Sequence, residues 1–167
     1  MRIFDLIDAG DEDAVRELLE RDPDAAGVRN AESLSAARYA LYNGKADLVD
    51  PILDANPPLD VFDAAAVGRT RGLEELLEAE PELAQSWSED GFTPLHLAAF
   101  FGQEDAARLL LDRGADPRVV STHREIKVAP VQSAAAGGHD AIVKLLLESG
   151  ASPDDFESDE LRARYAT

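Results

Sequence analysis

The sequence predicts an all-α fold of about five stacked helix-turn-helix repeats, and three observations support it. The first is a glycine that recurs along the 167-residue chain at intervals of 34, 24, 34 and 36 residues. The second is an apolar run with helical spacing that follows each of these glycines. The third is an internal match, because residues 93–117 superpose on residues 129–153 at an offset of 36. Together they indicate a repeat protein. The repeated glycines are Gly10, Gly44, Gly68, Gly102 and Gly138.

The clearest repeat begins at Thr93 and Pro94. Thr93 can cap a helix, and Pro94 suits its first position because a proline nitrogen has no hydrogen to leave unpaired. Leu95, Ala98 and Ala99 then recur at i, i+3 and i+4 and form a narrow apolar stripe, whose small members let neighbouring helices approach closely. One helix pair cannot bury its own apolar face, so the pairs must stack into a solenoid.

The repeats divide a single domain into residues 1–28, 29–56, 57–86, 87–120 and 121–153. Residues 154–167 are too few for another repeat, but Ser158 can cap a short helix in which Leu161 and Tyr165 lie one turn apart. Terminal repeats need a polar outer face, so we expect this segment and residues 1–22 to cap the fold.

Two of the repeats resemble a known family. The more specific is the run Asp90-Gly91-Phe92-Thr93-Pro94-Leu95-His96-Leu97-Ala98-Ala99, followed by Gly114-Ala115-Asp116, which is similar to an ankyrin repeat. Residues 129–153 are similar to a second one. The resemblance implies a small bacterial-type ankyrin-repeat protein, in which β-hairpin fingers project from L-shaped repeats. It also implies a concave binding surface made by the fingers and the first helices.

The finger row departs from the family pattern in two places. The 24-residue interval leaves only residues 56–60 between repeats two and three, and Pro57 and Pro58 favour an extended link there. We therefore expect no finger at this junction. The 36-residue interval has the opposite effect and lengthens residues 118–128, which we name the long finger.

Composition excludes several classes of function. The chain has 34 acidic residues against 16 lysines and arginines, a formal net charge of −18 that repels phosphate backbones and anionic membranes. It has no cysteine, which excludes disulfides and thiolate metal sites. Acidic residues at the start of the sequence interrupt the apolar run that a signal peptide needs, so we expect none. No apolar run approaches the ~20 residues of a membrane span. We expect a cytoplasmic protein, a monomer, that binds neither nucleic acid nor membranes.

The sequence shows no catalytic or phosphate-binding motif. His96 stands where the ankyrin resemblance implies a bond from the helix start to the adjacent finger. His139 follows a helix-ending glycine and is expected to have a similar turn role, whereas His123 is expected to be the least constrained of the three histidines. We therefore predict no catalytic residues, no cofactor, no metal and no enzymatic activity.

Candidate partner-binding residues follow from the resemblance, which implies that the two residues before each helix-ending glycine face the concave side. Tyr42-Asn43 and Phe100-Phe101 have these positions. Adjacent aromatics cannot both enter one helical stripe, so Phe100 and Phe101 either face a partner or leave one ring beneath a neighbouring finger. Trp87 is either an interface residue or buried under a finger base. Three residues stand at one finger tip, namely Glu89, Asp90 and Phe92.

The long finger is the one basic stretch of the chain. It carries Arg118, His123, Arg124 and Lys127 against a single acid, Glu125. These side chains could hold a carboxylate or an acidic peptide, or they could neutralise neighbouring acids.

Two functions fit these observations. The favoured one is a protein-protein interaction module that binds an unknown protein through its concave face and fingers. The alternative is an acidic inhibitor or immunity-type protein that blocks a basic partner, such as a nuclease or toxin.

Overall fold

Eleven α-helices form within residues 2–166, the part of the chain that the structure, a computed structural model, describes. Ten of them alternate in the order of five helix-turn-helix repeats, which confirms the all-α fold. Short 3-10 turns occur at Pro23–Gly27, Ala46–Leu48, Pro81–Gln85 and Pro153–Asp155. The helices are α1 (Ile3–Ala9), α2 (Glu12–Arg21), α3 (Ala36–Tyr42), α4 (Val49–Asp54), α5 (Val61–Val67), α6 (Thr70–Ala79), α7 (Pro94–Phe100), α8 (Glu104–Asp112), α9 (Pro130–Gly137), α10 (Asp140–Glu148) and α11 (Asp159–Tyr165).

The chain divides into two compact units. The amino-terminal unit ends at Asp63. Within it, α1 packs on α2 and α3, and α4 packs on α2 and α3. The apolar faces of these four helices meet in one core, because their large side chains recur at helical spacing. Fully buried members include Ile7, Val15, Ala36, Ala40 and Ile52.

The carboxy-terminal unit begins at Ala64. Its first helices, α7 and α9, pack against each other, while α8 packs against both α6 and α10. Small residues line the first helices, as the alanine stripe of α7 predicts, and leucines line the second helices. The buried side chains include Leu73, Leu77, Leu95, Ala98, Leu110, Val131, Ala134 and Leu146.

Gly102 shows why each repeat has a glycine between its two helices. Its φ is 77°, a left-handed conformation that side chains other than glycine rarely adopt. A Cβ atom there would lie 2.5 Å from Cε1 of His139, which packs over the turn. The other four repeat glycines also have a positive φ, of 67° to 77°, so the predicted helix-ending role of this position is confirmed.

The connections between pairs form hairpin-like turns at three places. Arg29 and Ser35 form an isolated antiparallel bridge. The Ser88 amide donates to the Phe92 carbonyl at 2.9 Å, and the Ser121 amide donates to the Val128 carbonyl at 2.8 Å. Residues 56–60, between α4 and α5, have neither helical nor turn structure. The missing finger at this junction stays a prediction.

The last helix forms where its cap predicted it. The Ser158 hydroxyl accepts from the Leu161 amide at 3.1 Å. Tyr165 donates to Oδ1 of Asp140 at 2.5 Å, and its ring stacks on buried Phe156 with centroids 5.4 Å apart. These contacts hold α11 against α10. The capping roles and repeat boundaries stay predictions, and the outermost residues of the two capping segments, Met1 and Thr167, lie outside the described residues.

None of the helices between residues 2 and 166 has the length and hydrophobicity that crossing a membrane requires.

Candidate functional site

The candidate site of the carboxy-terminal unit is built on the start of α7. The Thr93 amide and hydroxyl lie 3.2 Å and 2.8 Å from Nδ1 of His96, whose Nε2 lies 2.9 Å from the Val128 carbonyl oxygen. Because Nδ1 accepts from the amide, the ring is neutral with its proton on Nε2. Burial lowers the pKa of His96, which fits this neutral state. The imidazole thus joins α7 to the long finger, as the resemblance implies.

A series of ring contacts extends from His96 to both fingers. The Trp87 centroid lies 6.4 Å from that of His96. Phe92 lies 5.9 Å from His96 and stacks on His123 at 5.3 Å. Trp87 remains 40% exposed, whereas Phe92 is half-buried. The structure therefore places the indole partly in solvent, beside a ring cluster that joins the two fingers.

The two fingers approach each other at Gly91. Its carbonyl accepts from the Thr122 amide at 2.9 Å, and its φ is 83°. A Cβ atom at this position would lie 2.4 Å from the backbone nitrogen of His123, so a side chain would force the fingers apart. Gly91 thereby fixes the first arm of the long finger next to residues 88–92, which we name the short finger.

The end of α7 presents two adjacent phenylalanines. Phe100 is 43% exposed and Phe101 is half-buried, and their rings meet edge to face with centroids 5.0 Å apart. Leu95, Ala98 and Ala99 fill the buried stripe, which leaves no place in it for Phe100. Phe101 is thus partly buried and Phe100 is exposed, and whether the pair faces a partner or one ring lies beneath a finger stays a prediction.

The two acids of the short finger differ in their surroundings. Asp90 accepts a short hydrogen bond from the Ser88 hydroxyl, which also bonds the Phe92 amide and carbonyl. Its carboxylate therefore stabilises the finger turn. Glu89 is exposed at the same tip.

The tip of the long finger is longer than a hairpin needs. The short finger closes between Ser88 and Phe92, four residues apart, whereas the long finger closes between Ser121 and Val128, seven residues apart. His123 organises the additional residues, because its Nδ1 accepts from the Glu125 and Ile126 amides at 3.1 Å and 3.0 Å. The expectation that His123 is the least constrained histidine is therefore wrong. His139 bonds the Phe100 carbonyl through Nε2 at 3.0 Å, in the turn role expected of it.

Three cations of the long finger are open to solvent. Arg118, Arg124 and Lys127 are exposed, and none of them forms an ion pair with a described residue. Two apolar side chains of the same finger, Val120 and Ile126, are 53% and 48% exposed. The finger thus presents positive charge and apolar surface together.

Tyr42 and Asn43 lie at the end of α3 in the amino-terminal unit. Tyr42 is 38% exposed. The side-chain amide of Asn43 donates to the Tyr39 carbonyl at 2.9 Å and so caps the end of the helix. The residue is otherwise exposed.

Sequence reasoning missed a buried ion cluster in the amino-terminal unit. Asp63 is fully buried, and it accepts from the Ser35 hydroxyl at 2.8 Å and from Nη2 of Arg29 at 2.5 Å. Nε of buried Arg38 lies 3.4 Å from the same carboxylate. Arg38 and Asp63 are the third residues of α3 and α5, the position of His96 in α7. Aligning the helix starts shows that Arg38 and Asp63 replace the histidine of α7, although it does not show that the two side chains contact each other.

A cleft of about 720 Å³ in the amino-terminal unit was also not predicted. Phe4 and Tyr39 form one wall, with ring centroids 5.2 Å apart, and Tyr39 donates to Oδ1 of Asp8 at 2.7 Å. Two arginines and three acids contribute to the lining, so the cleft has no single sign of charge. These charged residues are Arg2, Arg29, Asp22, Asp24 and Glu32.

The described part of the chain contains no group of three histidine or acidic side chains placed to hold a metal ion.

The chain is similar to proteins of several kinds. It is 34% identical over 122 residues to the mouse protein phosphatase 1 regulatory subunit 12A, and the matched segment covers 68% of this chain and 12% of that protein. It is 39% identical over 66 residues to the human DNA-binding protein RFXANK, covering 40% of this chain and 25% of that protein. It is 33% identical over 120 residues to the E3 ubiquitin-protein ligase KEG of Arabidopsis thaliana, covering 64% and 7% respectively. The chain thus spans a quarter or less of each relative.

The family model for ankyrin repeats matches three copies across residues 5–157. The helix pairs of the structure agree with that match. The chain belongs to the ankyrin-repeat family.

Proposed function

We propose that this chain is a non-enzymatic protein-binding module, and that its carboxy-terminal unit binds a protein through the end of α7 and the short finger. One observation supports this most directly. Phe100 and Trp87 keep 43% and 40% of their surface exposed, in a unit whose core is built of buried leucines and alanines. Exposed aromatic side chains of this size are enriched at the energetic centres of protein interfaces.

The geometry around these aromatics favours binding over catalysis. Phe100 and Phe101 already contact each other, and the ring cluster of Trp87, Phe92 and His96 is fixed by the fingers. A preformed surface loses little side-chain freedom on association. His96, by contrast, is buried with both ring nitrogens occupied, so it has no access to a substrate proton. Glu89 adds an exposed polar contact at the rim, and Tyr42 and Asn43 give the amino-terminal unit a contact of the same type.

Partner capture tests the aromatic surface. The tagged chain is incubated with an extract of its source cells, and bound proteins are quantified by mass spectrometry after a wash at about 0.3 M salt. A partner bound through apolar contacts stays bound in this wash, because salt screens exposed charges but not apolar burial. We expect Phe100→Ala/Phe101→Ala to lose it. Val28→Ala is the matched control, since it removes exposed apolar surface from the amino-terminal unit, outside the proposed binding surface, and should keep the partner. If the double substitution leaves every captured partner unchanged, the proposed surface is wrong.

The net charge of −18 favours a second candidate function, an acidic inhibitor of a basic protein. Such a partner would be held by many exposed ion pairs, which salt weakens. The same wash separates the two candidates. Elution at about 0.3 M salt, with no effect of the phenylalanine substitutions, would favour the inhibitor.

A further inference from the structure

The long finger has features that its hairpin does not require. The short finger makes the same closing bond with three fewer residues in its tip. The longer tip is nevertheless ordered, because Nδ1 of His123 accepts two backbone amides and the His123 ring stacks on Phe92. An ordered extension with no role in closing the hairpin is a candidate for recognition.

The long finger carries three of the seven lysines and arginines that form no ion pair with a described acidic residue, and the other four are spread along the chain. Nine of the thirteen arginines form ion pairs with described acidic residues. Arg118, Arg124 and Lys127 pair with none of the described acids, although the chain has 34 acidic residues. Their positive charge is therefore not neutralised within the described fold, and it is concentrated on one finger.

Exposed apolar residues of the long finger indicate that its ligand also has apolar groups. Val120 and Ile126 expose about half of their surface among the same cations. Such a surface fits a ligand that carries carboxylates and apolar side chains in one chain. Arginine contacts carboxylates through two parallel hydrogen bonds, and the β-branched side chains can bury apolar neighbours.

We propose that the long finger binds an acidic, partly apolar peptide segment of a partner protein. This inference rests on the proposed function of the chain as a protein-binding module. A nucleic acid fits less well, because it has one charge for every phosphate and would meet the repulsion of a net −18. It would also leave Val120 and Ile126 uncovered.

A peptide library tests the proposal without requiring that the partner be identified first. Random peptides of about twelve residues, displayed on phage, are selected on the full chain at about 0.1 M salt. We expect the enriched sequences to combine Asp or Glu with apolar residues. The most enriched peptide is then synthesised with a fluorescein label, and its affinity is measured by fluorescence polarisation.

Charge reversal on the finger provides the decisive comparison. We expect Arg124→Glu/Lys127→Glu to weaken binding of the labelled peptide by at least about tenfold. The matched control is Arg69→Glu/Lys144→Glu, which changes the charge equally at two exposed cations of the same unit that also lack ion pairs with described residues. The affinity of this control for the labelled peptide should stay within about twofold of that of the wild type. The comparison is repeated at higher salt, where screening removes the effect of the changed net charge. Circular dichroism should be unchanged in both, because the four side chains are exposed and form no ion pair with a described residue.

A second pair of variants tests the apolar part. Ile126→Ser should weaken the peptide about fivefold, whereas Val28→Ser, at an equally exposed position of the amino-terminal unit, should not.

Several outcomes would overturn the proposal. They are the absence of enriched peptides, enrichment without acidic residues, and unchanged affinity of Arg124→Glu/Lys127→Glu. Binding of a labelled twenty-nucleotide single strand that depends on this pair would replace the peptide with a nucleic acid. If the selected peptides depend on Phe100 and Phe101 but not on the finger, the module function holds and the finger proposal fails.

Discussion

Among single residues, His96 couples the stability of the carboxy-terminal unit to pH. Burial lowers its pKa, so just below the ordinary value of about 6.5 the unfolded chain binds a proton that the folded chain does not. The free energy of unfolding is therefore highest, as far as His96 is concerned, above about pH 6.5. It falls as the pH drops from about 6.5 toward the lowered pKa.

Substitution of His96 by glutamine isolates this effect. Gln132 already stands at the same position of α9, where its Oε1 accepts the Ala129 amide at 2.7 Å. We expect His96→Gln to cost about 1–2 kcal/mol at pH 7.5, because the bond to Val128 is weakened or lost. Its stability should also vary less between pH 5.5 and 7 than that of the wild type. Urea unfolding across this range measures both, and parallel pH curves for the two proteins would contradict the role of His96.

Removal of the Asp63 carboxylate should be costly in the amino-terminal unit. Arg38 is buried beside it, and its Nε and Nη1 atoms have no hydrogen-bond partner among the described residues. Asp63→Ala would leave that guanidinium buried without a counter-charge, so we expect a loss of about 3–5 kcal/mol in the free energy of unfolding. Arg38→Met/Asp63→Ala should recover much of it. A double variant as unstable as the single one would show that the ion pair is not the cause.

Among helices and fingers, local signals were sufficient for prediction and distant contacts were not. Thr93 with Pro94, and Ser158, mark helix starts by their own chemistry, and the sequence places these helices correctly. The contact of Arg38 with Asp63 joins residues 25 positions apart, and no local pattern reveals it. The bonds from His123 to two amides depend on how the tip folds, so its constraint was missed. The sequence also does not show which of Phe100 and Phe101 is exposed, because that depends on how the end of α7 packs in the folded unit.

The attachment of α11 gives a prediction for an element. Phe156 is 1% exposed and stacks on Tyr165, so it joins this helix to the last repeat. Phe156→Ala should cost about 3–5 kcal/mol, because it leaves a large cavity under the helix. Leu161 lies on α11 itself but is only half-buried, so Leu161→Ala should cost much less. Urea unfolding compares the two, and equal losses would mean that Phe156 does not anchor the helix.

For the molecule as a whole, the charge of −18 makes stability dependent on salt. Two effects oppose each other when salt is added. Screening weakens the ion pairs, most of which are exposed and worth little each, and it also weakens the repulsion among 34 acids. Because acids outnumber bases by more than two to one, the relief of repulsion should prevail.

We therefore expect the melting temperature to rise between about 0.02 M and 0.5 M sodium chloride by ~3 °C or more, since 1 kcal/mol corresponds to ~2–4 °C for a chain of this length. Calorimetry measures the rise. Glu20→Gln/Glu82→Gln/Glu148→Gln removes three exposed acids that form no ion pair with a described residue, and it should reduce the slope with salt while raising the melting temperature at low salt. A melting temperature that falls with salt would mean that the ion pairs, Arg38–Asp63 among them, contribute more than the repulsion removes.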